Sequence, residues 1–188
     1  MNRNLLVIAA FGTLLPAVAS AASFTSPVRD VASISEPESG ATRLLFTADL
    51  AVPEEHVALR RALLRVPVGS RESTERLVLR VHPVTTAWSR GAVEWSSGWT
   101  RAGGDFEDLV YGWAEVSAGQ SEVVFDVSIP VKEILEYGAA NRGFLVTVEP
   151  AAGLGLRAAD SEALRLSNAS LDVSYRQIPR PPRGHRGE

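Results

Sequence analysis

The residues of this chain best suited to touch a ligand are its tryptophans and a small group of carboxylates behind them. Trp88, Trp95 and Trp99 fall within the stretch T-T-A-W-S-R-G-A-V-E-W-S-S-G-W-T-R-A-G-G-D-F, from Thr85 to Phe106. Tyr111 and Trp113 follow, on one face of a short segment that places Val110 and Gly112 on the other. Sugar rings carry apolar C–H faces that stack on aromatic rings, while their hydroxyls hydrogen-bond to nearby polar groups. Arg101, close to Trp99, would suit an acidic sugar, because its planar guanidinium matches a carboxylate. Trp95 is in phase with Val93 and is expected inside. Trp88 precedes a turn and is expected to cap one end of the core. Trp99 lies among Gly, Ser and Arg and is expected to be the most exposed. Core packing competes with ligand contact at every one of these aromatics. The candidate contacts are Trp99, Arg101, Tyr111 and Trp113.

Asp105, Glu107 and Asp108 follow Gly103 and Gly104. Hard carboxylate oxygens clustered in a loop could hold a structural Ca²⁺. Their spacing is not that of an EF-hand, and a solvated acidic loop is the competing reading. Asp126 is expected to bond locally ahead of a helix. The histidines His56, His82 and His185 are too far apart in sequence for metal-ligand spacing. His82 alternates with Leu79 and Val81, which reads as a surface or loop-edge position. The chain has no cysteine, so thiol catalysis and thiolate metal sites are excluded. It carries no G-x-S-x-G elbow and no Walker-type phosphate loop. Carboxylate pairs occur at Glu107-Asp108 and at Asp160/Glu162. Glycoside cleavage requires two carboxylates at a defined separation in a cleft, which sequence alone does not establish. The expectation is that the chain is not an enzyme.

The elements that must position these residues are short strands separated by Gly, Pro, Ser and Asn. Strand patterns run over Thr42–Asp49, Leu59–Val66, Arg76–Val84, Leu109–Val116, Glu122–Val127, Gly143–Glu149 and Ala169–Arg176. Ala92–Trp95 alternates and reads as a further strand framed by loops. Ala62, Leu64 and Val66 share a face, as do Leu77, Leu79 and Val81, so each strand turns one side to a core. One helix interrupts, over Pro130–Gly138. Proline sits in its first turn, Val131, Ile134 and Leu135 form an i, i+3, i+4 face, and Gly138 is a natural stop. It is expected to plug one end. Many strands and no long helix predict an all-β, two-sheet sandwich.

The N-terminus reads as a secretory signal peptide over residues 1–21. Arg3 supplies the positive charge, Leu5–Leu15 the apolar run, and Ala19-Ser20-Ala21 a small-residue cleavage site. The apolar run is too short to span a bilayer. One domain is expected over residues 22–178, followed over 179–188 by an Arg/Pro/Gly-rich tail with the composition of a disordered segment. An exported chain without cysteines is ordinary for a bacterium. The net charge of −3 leaves no basic face of the size nucleic-acid binding requires. The expected address is extracellular or periplasmic, with no membrane span after the leader.

Three groups of segments fall into a recognisable order. Trp88-Ser-Arg-Gly-Ala-Val-Glu-Trp95 precedes Gly103-Gly104-Asp105-Phe106. Val124-Phe-Asp-Val127 leads to the helix and then to Asn141-Arg-Gly-Phe144. Ser161-Glu162-Ala163 precedes Leu171-Asp-Val-Ser-Tyr175. With Arg43–Phe46 and Ala62–Val66, these resemble the DNRLRE domain family, which includes carbohydrate-binding module family 96, over roughly Arg43 to Tyr175. The resemblance implies a jelly-roll β-sandwich on a secreted or surface protein, binding polysaccharide and in particular acidic polysaccharide. The usual Asp-rich opening loop of that family has no counterpart between Val28 and Ala41. Ser96 stands where asparagine is common, and Asn168-Ala169 replaces Arg-Pro. The functional expectation is a secreted, non-catalytic carbohydrate-binding module. The alternative is a structural or adhesive surface protein that binds other envelope or extracellular proteins.

Overall fold

A computed structural model of the protein describes residues 21–50, 57–70, 77–150 and 163–178. The body of the signal segment, the 179–188 tail, His56, His185 and the Asp160/Glu162 pair lie outside the described residues. Among the described residues eight strands and one α-helix follow in chain order. They are β1 Ala21–Ser35, β2 Thr42–Ala48, β3 Val57–Pro67, β4 Leu77–Pro83, β5 Gly112–Val116, β6 Glu122–Asp126, α1 Ser128–Tyr137, β7 Phe144–Pro150 and β8 Ser170–Gln177. They join into one antiparallel sheet in the order β5-β4-β7-β2-β1-β8-β3-β6. The all-β expectation is met.

β1 holds the sheet together. Its first half, Ala21–Pro27, pairs with β8, and its second, Val28–Ser35, pairs with β2. The register slips between Arg29 and Ala32, and Asp30 adopts a positive φ of 48°. A bulge of this kind bends a strand and increases its twist. The sheet curls until its two edges meet: a Cβ placed on Gly112 of β5 would stand 2.9 Å from the Asp126 carbonyl oxygen of β6. β1 is absent from the expected strands. Pro27, Asp30 and the serines mask its alternation, and its length comes from having two partners in succession.

The inner face of the curled sheet encloses the main core. Ala62, Leu64 and Val66 of β3 and Leu79 and Val81 of β4 are buried there, as their alternation predicts, with Phe46, Phe125, Phe144 and Leu171. The Phe46 and Phe144 rings stack at 5.4 Å. α1 closes one end. Val131 is fully buried and Ile134 and Leu135 pack against the core, and the helix stops at Gly138, whose φ is 73°. α1 also protects an edge. β6 pairs with β3 only from Leu63 onward. Beyond that point the chain after β6 takes over: Val127 N–H donates to the Ala62 carbonyl, Ser128 Oγ accepts from Ala62 N–H, and Glu136 Oε1 accepts from Leu59 N–H. Donors that would otherwise be left open along an edge strand are thereby paired.

Two strand expectations change. Ala92–Trp95 is not a strand; the whole stretch from Thr85 to Phe106 is irregular, ending in a Val84–Phe106 bridge. β5 begins at Gly112 rather than Leu109, because residues 107–111 form a turn leading away from that bridge.

Candidate functional site

The Thr85–Phe106 loop folds over the outer face of the sheet and makes a second, smaller core. Ile34 of β1, Leu45 of β2, Leu145 of β7 and Val84 are buried beneath it, and Trp88, Val93, Trp95, Trp99 and Phe106 pack on them. This explains two runs in which every residue is apolar. In Leu44-Leu45-Phe46 and Phe144-Leu145-Val146 the outer residues face the main core and the middle one faces the cap. Each tryptophan is partly buried. Trp88 Nε1 donates to the Arg142 carbonyl at 2.8 Å, and Trp99 Nε1 to the Glu94 carbonyl at 2.9 Å. Arg43, on the outer face of β2, lies over Trp95 at 4.8 Å and Phe106 at 5.1 Å and donates to the Gly103 carbonyl. Burial, and then the nearby Arg101 guanidinium, lower its pKa.

Asp105 latches the loop. It is 5% exposed, and both oxygens are fully engaged. Oδ1 accepts from Thr100 Oγ1 at 2.8 Å and Arg101 N–H at 3.1 Å; Oδ2 accepts from Thr86 Oγ1 and Thr100 N–H, both at 2.9 Å. These donors, led by the Thr100 N–H, hold its pKa down to about 2 against the opposing effect of burial. Gly104 lets the loop approach the sheet. Its φ is 103°, and a Cβ there would stand 3.0 Å from Leu145 Cδ1.

Next to the latch the turn 106–111 runs over β4. His82 points to the outer face, as its phase predicts, but is 4% exposed because this turn covers it. Its Nδ1 lies 2.9 Å from the Glu107 carbonyl, which can only accept, so Nδ1 carries the proton and Nε2 accepts from Thr147 Oγ1 at 3.1 Å. Burial, first among several causes, lowers its pKa. The expected surface histidine is a neutral, buried one. Phe106 packs on its ring at 4.9 Å.

A cleft of about 140 Å³ opens between this turn and α1, lined by Thr85, Glu107, Tyr111, Glu133, Ile134 and Arg142 among others. Tyr111 donates its hydroxyl to Glu107 Oε2 at 2.7 Å. That bond, then burial, then the charges of Glu107 and Glu133, raise the Tyr111 pKa. Through Thr85 and Glu107 the cleft continues into a shallow groove of about 600 Å³ lined by Thr86, Thr100, Arg101, Asp105 and Asp108. On the outer face of β5, close to these openings in sequence, Trp113 is 63% exposed, beside Leu109 and Val110 in the preceding turn, also exposed.

The expected contact residues therefore divide. Trp113 is the exposed tryptophan and Tyr111 lines the cleft. Trp99 is partly buried in the cap, because its indole N–H has found a carbonyl and its ring a hydrophobic floor. Arg101 lines the groove with its guanidinium already engaged: it stacks over Phe106 at 4.7 Å and donates to the Phe106 carbonyl and to Asp108. The carboxylates Asp105, Glu107 and Asp108 face three different partners, namely the loop amides, Tyr111 and Arg101. Among the described residues no group of three or more His, Asp or Glu side chains stands together to hold a metal ion. Sequence reasoning missed Glu133 and Arg142, which reach the cleft from α1 and from the turn after it. It also missed Arg43, whose unpaired charge inside an apolar strand pattern was the available signal. No family model and no curated protein sequence matches the chain. Among the described residues no helix is long and apolar enough to cross a membrane.

Proposed function

We propose that the chain is a secreted, non-catalytic polysaccharide-binding module of the DNRLRE type. The observation that carries this reading is Trp113, 63% exposed on β5 and two residues along the chain from Tyr111, which lines the cleft. An exposed indole on a rigid strand offers a flat apolar surface to a sugar ring at little entropic cost. The groove is shallow and open, as suits a long ligand that passes through. In this reading the two halves of the sheet, divided where β1 changes partner, are the two sheets of a jelly roll, and the Ala19-Ser20-Ala21 site releases the chain from its leader. Retention on immobilised polysaccharides tests it. The folded protein should be retarded on at least one, and Trp113→Ala should abolish the retardation. Passage of the folded wild-type protein through all of them would overturn it.

The alternative, a structural or adhesive protein that binds other chains, draws on Leu109, Val110 and Ile129, which are exposed around the same end. Concentration-dependent association of the purified protein, lost in Leu109→Ser, would favour it over sugar binding.

A further inference from the structure

We infer that the cleft between α1 and the 107–111 turn binds the protonated amine of an amino sugar, so that the module selects aminated rather than acidic glycans. This rests on the polysaccharide-binding reading above and names its ligand class. The walls carry two carboxylates, Glu107 and Glu133, against one guanidinium, Arg142. Glu107 uses Oε2 for the Tyr111 hydroxyl, and the Glu133 carboxylate makes no ion pair or hydrogen bond among the described residues, its backbone carbonyl alone accepting from Gly138 and Ala139. Both carboxylates line the cleft with Tyr111, whose pKa the charge of each helps to raise. Apart from Tyr111 and Thr85 the remainder of the lining is apolar, with Pro83, Pro130, Ile134 and Phe144 as a floor for C–H surface. At about 140 Å³ the cleft is smaller than the roughly 300 Å³ at which sites for whole small ligands begin, so it takes one protruding unit of a chain that lies along the groove.

The groove points the same way. The cation that would recognise a uronate, Arg101, is already held by the Phe106 carbonyl and Asp108 and stacked on the Phe106 ring. A carboxylate entering there would also meet Glu107 and Asp108, which line the same groove. An ammonium would gain charge-assisted hydrogen bonds from the same two groups.

Calorimetric titration with three oligosaccharides of equal length separates the outcomes: glucosamine, N-acetylglucosamine and galacturonate oligomers, in mildly acidic buffer where the amines are protonated. The wild-type protein should prefer the glucosamine oligomer. Glu133→Gln and Glu107→Gln, both exposed and both checked for an unchanged melting curve, should each weaken that binding about tenfold or more and should leave N-acetylglucosamine unaffected. Equal binding of the amine and the acetamide would overturn the inference and leave the module reading intact. Preference for galacturonate would overturn it as well. Binding of none of the three, nor of any polysaccharide, would overturn both.

Discussion

The two hydrophobic cores of this protein share the same strands and are held in different ways. The inner one is aliphatic and phenylalanine-rich, closed by alternating side chains from the curled sheet and plugged by α1. The outer one is a patch of four buried aliphatic residues roofed by an irregular, tryptophan-rich loop. The inner core is held by many interchangeable apolar contacts. The outer one depends on a few named polar contacts: the Asp105 latch, Arg43 on the Gly103 carbonyl, and two indole N–H groups on backbone carbonyls. The difference teaches where tolerance lies. A methyl lost inside is felt globally, whereas a polar group lost outside should loosen the loop and leave the sheet standing.

The largest effect expected is in the inner core. Phe125→Ala removes a fully buried ring from β6 and should cost about 3–5 kcal/mol, read as a lower midpoint in denaturant unfolding. Second comes the latch. Asp105→Ala leaves the Thr100 and Arg101 amides without their acceptor; faster hydrogen exchange at those amides and a red-shifted tryptophan emission should appear, with a smaller loss of global stability than in Phe125→Ala. If the two variants lost the same stability by every probe, the outer layer would not be a separable unit.

Acid gives a third test. The folded pKa of Asp105 is about 2, below its ordinary 3.8. Its contribution is complete above pH about 4 and is lost as pH falls toward 2. Tryptophan emission should report the loop loosening in that window, and Asp105→Asn should remove the transition from it. Asp172, on the solvated face, has its pKa lowered chiefly by Arg65 and titrates in the same direction. Its side chain bonds to Arg65 and Thr25 and to nothing in the tryptophan loop, so it should leave the emission unchanged. Smaller again is Gly104→Ala, which places a Cβ 3.0 Å from Leu145 at a φ of 103°. About 1–3 kcal/mol should be lost, in the cap rather than the inner core.

Much of the inner core was legible in the sequence because period-two alternation reports which face is buried. The helix was legible through its apolar face and Gly138. β1 was not, since a strand with two successive partners and a bulge at Asp30 has no single alternation to follow. The cap was half legible. Alternation gave His82 its outward direction, but nothing local to a strand says what folds over it. The unbroken apolar runs at Leu44–Phe46 and Phe144–Val146 were the overlooked sign that β2 and β7 are covered on both sides. Asp105 read as a metal candidate because composition shows a carboxylate and not its donors; four hydrogen bonds from within its own loop make it a latch. Trp113, in a short strand segment, resembled the other tryptophans in sequence and differs from them in what lies above it.

Two tryptophans carry the central claim that the aromatic-rich loop is framework while Trp113, on the strand beyond it, is not. Denaturant unfolding of Trp99→Ala and Trp113→Ala, measured side by side with the wild-type protein, tests it most directly. Trp99→Ala should lose about 2 kcal/mol, below the range for a fully buried ring. Trp113→Ala should stay within about 0.5 kcal/mol, as exposed positions do. A Trp113→Ala protein destabilised as much as Trp99→Ala, or a Trp99→Ala protein as stable as the wild type, would contradict it.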